Sequence, residues 1–388
     1  MSETYNITHN SNSSTLEEGR KVSSSPRIII SGGGTGGHIF PAIAIANSLK
    51  EINNKIEILF VGAQDKMEME KIPAAGYKII GLPVAGFQRK LIWKNFLVIK
   101  KLLKSLSEAN RIVKEFKPNV IVGVGGYASG PILWAASRKQ IPVVIQEQNS
   151  YAGITNKLLA KKASKIFVAY DGMEKYFSKE KIILAGNPVR QGLENVTSKR
   201  EEALKYFQLY PGLKTILCLG GSLGARTINQ SISNNLNLFR DSNAQLIWQS
   251  GSYYYADAKK TLESYNNNNI RLHDFISRMD LAYGAADLVI SRAGAITISE
   301  LCIVGKPVII VPSPNVAEDH QTKNAMNLVS KNAAIMIKDN EAREKLVTEA
   351  LNLLADDSKC ALLSENIKKL ALIDSAQVIA REILKLVD

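Results

Sequence analysis

Three times in this chain a short run of β-branched residues ends in a cluster of glycines. Residues 27–31 run into Gly32-Gly33-Gly34-Thr35-Gly36-Gly37-His38 before a helical pattern at 42–49. A run at 120–124 carries Gly123-Val124-Gly125-Gly126-Tyr127-Ala128-Ser129-Gly130, and 215–219 enters Gly220-Gly221-Ser222-Leu223-Gly224 before a helix from Ala225. Glycines let the backbone turn sharply and approach a ligand closely. The helix that follows offers free N–H groups and the positive end of its dipole. One such loop fits a tight strand-to-helix turn as well as a phosphate site; three of them, two opening a domain each, point to a phosphate-bearing ligand. None reads G-x-x-x-x-G-K-[ST], and no acidic residue closes 56–61 as a dinucleotide site requires. Nucleoside-triphosphatase and oxidoreductase chemistry are both disfavoured.

The same alternation fills the rest of the chain. Runs at 27–31, 56–61, 78–82, 120–124, 143–146, 165–169 and 182–184 read as strands, and a second series at 215–219, 245–249, 270–273, 288–291, 308–311 and 334–337 restarts the pattern. Apolar runs this short and continuous suit strands buried on both faces of a parallel sheet. The expected fold is therefore α/β, with two doubly wound Rossmann-like domains facing each other across a cleft, and 388 residues suffice for both. The polar stretch 191–205 reads as the linker, giving domains over 26–190 and 191–388, the last helix being free to pack back on the first. Residues 1–25, rich in Ser, Asn and Thr, read as a disordered polar tail without a secretory signal. No apolar run reaches the ~18 residues of a membrane span. Three scattered cysteines without C-x-x-C spacing fit a reducing, cytoplasmic compartment and suggest no zinc site.

Charge is divided unevenly. Through Arg190 there are 27 Lys and Arg against 14 Asp and Glu, and from Gln191 onward 22 against 22. The excess implies an anionic partner for the first half, whether nucleic acid, a membrane surface or an anionic substrate. A further cluster, Ser291-Arg292-Ala293-Gly294-Ala295-Ile296-Thr297-Ile298-Ser299-Glu300, again follows a strand and opens a helix. Its small residues admit a diphosphate to the helix N-terminus, and Glu300 can accept both hydroxyls of a ribose diol. Taken alone, Glu300 suits a solvated helix surface better than a ribose site. In a last segment from Glu318 to Ala325, Gln321 and Asn324 suit either sugar hydroxyls or helix capping.

The strings GGGTGGHIFPAIAIA, VGVGGYASGP, QEQNSYAGITNKLLA, GNPVR, GGSLGARTIN, SRAGAITISE and DHQTKNA, in this order, resemble the peptidoglycan N-acetylglucosaminyltransferases of glycosyltransferase family 28, which have the GT-B fold. The resemblance implies inverting transfer of GlcNAc from UDP-GlcNAc to the C4 hydroxyl of the muramyl sugar of lipid I, forming lipid II. It places Thr35, Gly36 and Gly37 at the cleft with Asn149, near the donor sugar and the acceptor diphosphate. Arg190 would reach the donor from the domain junction, and Ser222 would bind its diphosphate. The backbone of Ile276 would read uracil, and Ala295, Ile296, Thr297, Ile298 and Ser299 would supply the helix N-terminus for the diphosphate. Glu300 would hold the ribose and Gln321 the GlcNAc hydroxyls. Two positions depart from the pattern: Ser150 stands where a glycine often follows the asparagine, and Leu223 where a glutamine is common.

Such a transfer needs a base for the acceptor hydroxyl and positive groups for the departing diphosphate. His38, one of four histidines, is the expected base, with a structural or diphosphate-binding role as the alternative. No D-x-D pair offers a metal bridge, so helix dipoles and Arg190 are expected to neutralise the leaving group. No cofactor is required, although a divalent metal is allowed. The stretch 87–104 carries six basic residues and no acid; its Phe87, Arg89, Lys90, Trp93, Lys94, Phe96, Lys100 and Lys101 suit an anionic membrane surface, or else a core-facing helix with a solvated basic face. The expected partners are thus UDP-GlcNAc, lipid I and the anionic cytoplasmic face of the inner membrane, with the cell-wall and division machinery as further candidates and no nucleic acid. The alternatives are a related transferase with another lipid acceptor and a non-catalytic UDP-sugar-binding partner of cell-wall assembly.

Overall fold

The structure, a computed structural model, describes residues 25–84, 92–221, 223–265, 268–316 and 319–387, and within 92–99 the backbone alone. Among these residues lie thirteen strands in two sheets, every ladder parallel. The first sheet holds β1 (Arg27–Ser31), β2 (Glu57–Ala63), β3 (Lys78–Leu82), β4 (Val120–Gly123), β5 (Val143–Glu147), β6 (Lys165–Val168) and β7 (Ile182–Leu184), in the order β3-β2-β1-β4-β5-β6-β7. The second holds β8 (Lys214–Leu219), β9 (Ala244–Gln249), β10 (Ile270–His273), β11 (Leu288–Ser291), β12 (Val308–Ile310) and β13 (Ile335–Met336), in the order β10-β9-β8-β11-β12-β13. Each run read as a strand from the sequence forms one, with ends that move by one or two residues. Val124, for example, leaves the β4 ladder and gives its N–H to the Ser31 carbonyl at 2.8 Å, where the loop begins.

The reason for the continuous apolar runs is visible in the packing. Successive side chains of a strand point to opposite faces, and both faces are covered. Ile28 and Ile30 of β1 join Phe60, Val122 and Phe167 beneath helix Gly36–Ile52, whereas Ile29 joins Leu59, Val61, Ile121 and Ile145 on the other face, against Ala109, Ile112 and Val113 of helix Ile92–Phe116. The second sheet repeats the division, with Ile216, Cys218 and Trp248 on one side and Leu217, Leu219 and Ile247 on the other. Strand order reverses between β1 and β4 in one sheet and between β8 and β11 in the other. In open α/β sheets the crevice beyond the carboxyl ends at such a point is where ligands bind. All three glycine loops and the segment after Ser291 follow one of these four strands.

The stretch 191–205, expected to link the domains, packs on the second sheet. Its sparse apolar residues Leu193, Val196 and Ala203 are fully buried in the core of the second sheet with Phe207, and helix Arg200–Tyr206 forms there. Arg200 fixes it by pairing with Asp287 at 3.0 and 3.1 Å. The chain also crosses back: the final helix Ser375–Leu384 sets Ile379, Ala380 and Ile383 into the core around Ile28 and Ile45, and Lys165 Nζ holds Glu382 at 2.6 Å. We expect Ile379→Ala to cost about 2–5 kcal/mol of stability, as for other fully buried large-to-small changes. Hydrogen exchange should show the loss in β1, β4 and helix Gly36–Ile52; equal loss in both sheets would refute the independence of the two cores.

Candidate active site

At the first reversal point the loops after β1 and β4 lie against each other because both are glycine at the contact. Gly126, at φ +85°, leaves no room for a Cβ beside the Gly33 backbone, and a Cβ on Gly125, at φ +96°, would come within 2.8 Å of the His38 ring. Helix Gly36–Ile52 starts directly behind, so Thr35, Gly36, Gly37 and His38 share the loop and the first helical turn. His38 is half-buried. Its Nδ1 lies 3.1 Å from the Gly33 carbonyl oxygen and 3.2 Å from Thr35 Oγ1. A carbonyl oxygen can only accept, so Nδ1 carries the proton and Nε2 keeps its lone pair. Burial lowers the His38 pKa below the ordinary imidazole value; the charges of Glu147 and Glu68 and the Gly33 hydrogen bond act against this, and His320 adds to it.

Two carboxylates that sequence reading passed over organise this end of the site. Glu68 is fully buried and accepts from Ala63 N and Gly34 N, both at 2.9 Å. Glu147, also buried, accepts from Asn149 N (3.1 Å) and Nδ2 (3.3 Å) with one oxygen, and from Gly153 N and Asn156 Nδ2 (both 2.9 Å) with the other. Glu147 stood inside a quoted string, QEQNSYAGITNKLLA, and its neighbours there are its hydrogen-bond donors. Glu68 had no local signal beyond the apolar strand before it.

At the second reversal point Gly294 caps helix Ala295–Val304, with Ala295, Ile296, Thr297 and Ser299 partly exposed and Ile298 buried. Glu300 is 5% exposed, which removes the solvated reading of this residue. One oxygen accepts from Arg190 Nε at 2.6 Å and the other from the Tyr283 hydroxyl at 3.1 Å. Burial raises the Glu300 pKa, and Arg190 pulls against that rise. Arg190 itself is about half exposed. Ile276 is buried and its N–H donates to Gln249 Oε1 at 3.0 Å. The Gln321 side-chain oxygen accepts from Ser313 N at 2.8 Å, making its amide nitrogen the group able to donate. Ser222 lies outside the described residues.

The halves meet through polar side chains. Ser150 gives its N–H and hydroxyl to Asn324 Oδ1 at 3.1 and 3.0 Å, and Asn324 Nδ2 reaches Asn149 Oδ1 at 3.2 Å. Asn324 lies inside helix His320–Val329 rather than capping it; it is buried and ties the two halves. Asn187 Nδ2 likewise reaches Ser299 Oγ at 3.0 Å. Of the basic stretch, Phe87, Arg89 and Lys90 fall outside the described residues, and the side chains of Trp93, Lys94 and Phe96 are not among those described. Lys100 and Lys101 are exposed on helix Ile92–Phe116. Beyond residue 104 its later turns face the core through Ala109, Ile112 and Val113.

Comparison with known proteins agrees with this geometry. Residues 28–168 match the glycosyltransferase family 28 N-terminal domain and residues 215–382 the glycosyltransferase family 28 C-terminal domain. The chain is 62% identical over 93% of its length to a protein of Parabacteroides distasonis, of which the match covers 98%. It is 60% identical, over 93% of this chain and 96% of the other, to a protein of Phocaeicola vulgatus. Both relatives bear the name UDP-N-acetylglucosamine–N-acetylmuramyl-(pentapeptide) pyrophosphoryl-undecaprenol N-acetylglucosamine transferase. The crystal structure of Acinetobacter baumannii MurG superposes with a TM-score of 0.73 at 26% identity, covering 93% of this chain and 99% of that one. With two crevices that open at the strand-order reversals of paired sheets, and matches spanning both, the chain belongs to glycosyltransferase family 28.

Proposed function

We propose that the chain transfers N-acetylglucosamine from UDP-N-acetylglucosamine to the muramyl sugar of the undecaprenyl-diphosphate-linked acceptor lipid I, forming lipid II. The observation that carries this reading is the match of a family 28 domain to each sheet, together with relatives of that name over nearly the whole chain. The direct test is radiolabelled UDP-N-acetylglucosamine with a short-chain lipid I analogue. Labelled lipid II is expected, and transfer to diacylglycerol instead would overturn the assignment.

In this reading the donor sits on the second sheet and the acceptor on the first. His38 Nε2 takes the proton of the acceptor C4 hydroxyl while that oxygen bonds to the sugar's anomeric carbon from the face opposite UDP. The bond to the diphosphate oxygen breaks with its electron pair, so configuration inverts. The N-terminus of helix Ala295–Val304 and the loop at 220–224 face the charge that develops on the diphosphate. Both Glu300 oxygens already hold donors, so a ribose diol binds there by exchange. Arg190, half exposed, is the partner that moves, and on leaving Glu300 it becomes free for the diphosphate.

The membrane surface belongs to the first half in this reading. Leu103, 63% exposed, stands beside Lys100, Lys101 and Lys104, and Leu158, 74% exposed, lies near Lys161 and Lys162. Apolar side chains among basic residues suit anionic headgroups, at ~1 kcal/mol per basic residue. No described helix is long and apolar enough to cross a membrane, so binding here means lying on the surface.

Three measurements bear on these roles. Glu300→Ala is expected to weaken UDP-N-acetylglucosamine binding by about 1–3 kcal/mol, the range for unpairing buried polar groups; unchanged affinity by calorimetry in the folded variant would remove Glu300 from the donor site. His38→Ala should lower kcat about 10²–10⁴-fold with little change in donor affinity. Because burial lowers the His38 pKa, the wild-type rate should fall on acidification only below the ordinary imidazole value of about 6.5, and this acidic limb should vanish in the variant. A variant with full kcat and a raised acceptor KM would make His38 a diphosphate ligand instead. Finally, Lys100→Glu, Lys101→Glu and Leu103→Glu combined should release the protein from phosphatidylglycerol vesicles while short-chain acceptor is still glycosylated; sedimentation equal to wild type would place the membrane surface elsewhere.

A further inference from the structure

Glu68 and His38 bind opposite sides of the same peptide unit. The Gly34 N–H donates to Glu68 Oε2 at 2.9 Å, and the carbonyl of that same peptide, on Gly33, accepts from His38 Nδ1 at 3.1 Å. The other Glu68 oxygen takes the Ala63 N–H at the end of β2, so the carboxylate is held from both ends and has no freedom to turn. Space for it is made by glycine at two places: a Cβ on Gly33 would collide with the carboxylate and one on Gly62 with its Cγ. A fully buried acid is costly unless its oxygens are satisfied, and here the cost is met at the loop that carries the presumed base.

We propose that Glu68 is a positioning residue for His38, acting through the Gly33–Gly34 peptide. A carboxylate accepting from the N–H side polarises the amide and makes its carbonyl oxygen a stronger acceptor, since hydrogen bonds in a chain reinforce one another. The stronger acceptor fixes the proton on Nδ1, turns Nε2 away from the Gly33 carbonyl and toward Gly125, and makes Nε2 more basic. In proteases a carboxylate does this to an imidazole directly; here one peptide stands between them. No proton passes through the peptide, and the effect is electrostatic and orientational. The catalytic consequence rests on the reading of His38 as the base, whereas the structural relay does not.

The charged and titratable groups facing His38 are Glu68, Glu147 from the end of β5 and His320 from helix His320–Val329, with Glu147 the stronger of the two raising influences. Glu68→Gln leaves the other two in place, so the difference isolates Glu68. It also leaves one oxygen where there were two, so that one of Ala63 N and Gly34 N loses its acceptor.

The experiment has two arms. In the wild-type protein, ¹⁵N NMR of the imidazole should show the Nδ1-protonated tautomer of His38, and a predominantly Nε2-protonated ring would overturn the proposal without any variant needing to fold. In Glu68→Gln that preference should weaken, the His38 titration midpoint should move to lower pH, and kcat should fall about 10–100-fold, the usual cost of losing a supporting hydrogen-bond partner, with KM for UDP-N-acetylglucosamine unchanged. Placed on a His38→Ala background, Glu68→Gln should cost nothing further in kcat. Equal losses on both backgrounds would mean that Glu68 merely holds the fold, and so would an unchanged His38 midpoint. Failure of His38→Ala to lower kcat would instead defeat the reading of His38 as the base, while the NMR arm would still decide the relay.

Discussion

A parallel sheet buried on both faces has only its strand ends left to work with, and that constraint arranges everything else in this protein. Since all seven strands of the first sheet and all six of the second run the same way within their sheets, every strand-to-helix loop falls on the carboxyl edge. Where strand order reverses, the helices behind β1 and β4 diverge to opposite faces, and a crevice opens that no side chain needs to fill. Close approach of the two loops across that crevice is possible because Gly126 carries no Cβ, which would strike the Gly33 backbone. In the second sheet glycine permits a close approach between the neighbouring loops after β8 and β9, where Gly251 has no room for a Cβ against Gly224, at φ +96°.

The electrostatics follow from the same geometry, though not in the expected direction. A site for diphosphates would be supposed rich in Lys and Arg, yet the buried charges among the described residues are acids: Glu68, Glu147 and Glu300. Each is satisfied by N–H or O–H donors, mostly from loops at strand ends. They use some of the donors that an anion would otherwise take, and they fix the loops so that the rest point at the cleft. Under the proposed function, attraction for a diphosphate comes from helix N-termini and from the half-exposed Arg190 at the rim.

How much of this was legible in the sequence depends on how local each signal was. Strands of four to seven apolar residues bounded by glycine are local, and all were readable. The packing of 191–205 was not readable, because its apolar positions Leu193, Val196 and Ala203 are sparse in a polar stretch and find their partners only in Phe207 and the second core. Glu68 and Asn324 were illegible for a stronger reason. The donors of Glu68 are 5 and 34 residues away, and Asn324 reaches 174 residues back to Ser150. A polar side chain whose whole meaning is a distant partner looks, in sequence, like any solvated one.

The Asn324, Asn187 and Arg190 contacts between the halves also differ in how readily they can be exchanged. Asn324 is buried and shares its oxygen between two donors of Ser150, so parting it would strand several polar groups at once, at a cost of about 1–3 kcal/mol each. Asn187 is equally buried and is further held by Gln146 at 3.0 Å. Arg190 alone has water at hand to replace what it loses, which makes its pair with Glu300 the cheapest to open. Opening that pair changes one side chain at the rim, while the asparagine contacts between the two halves stay in place.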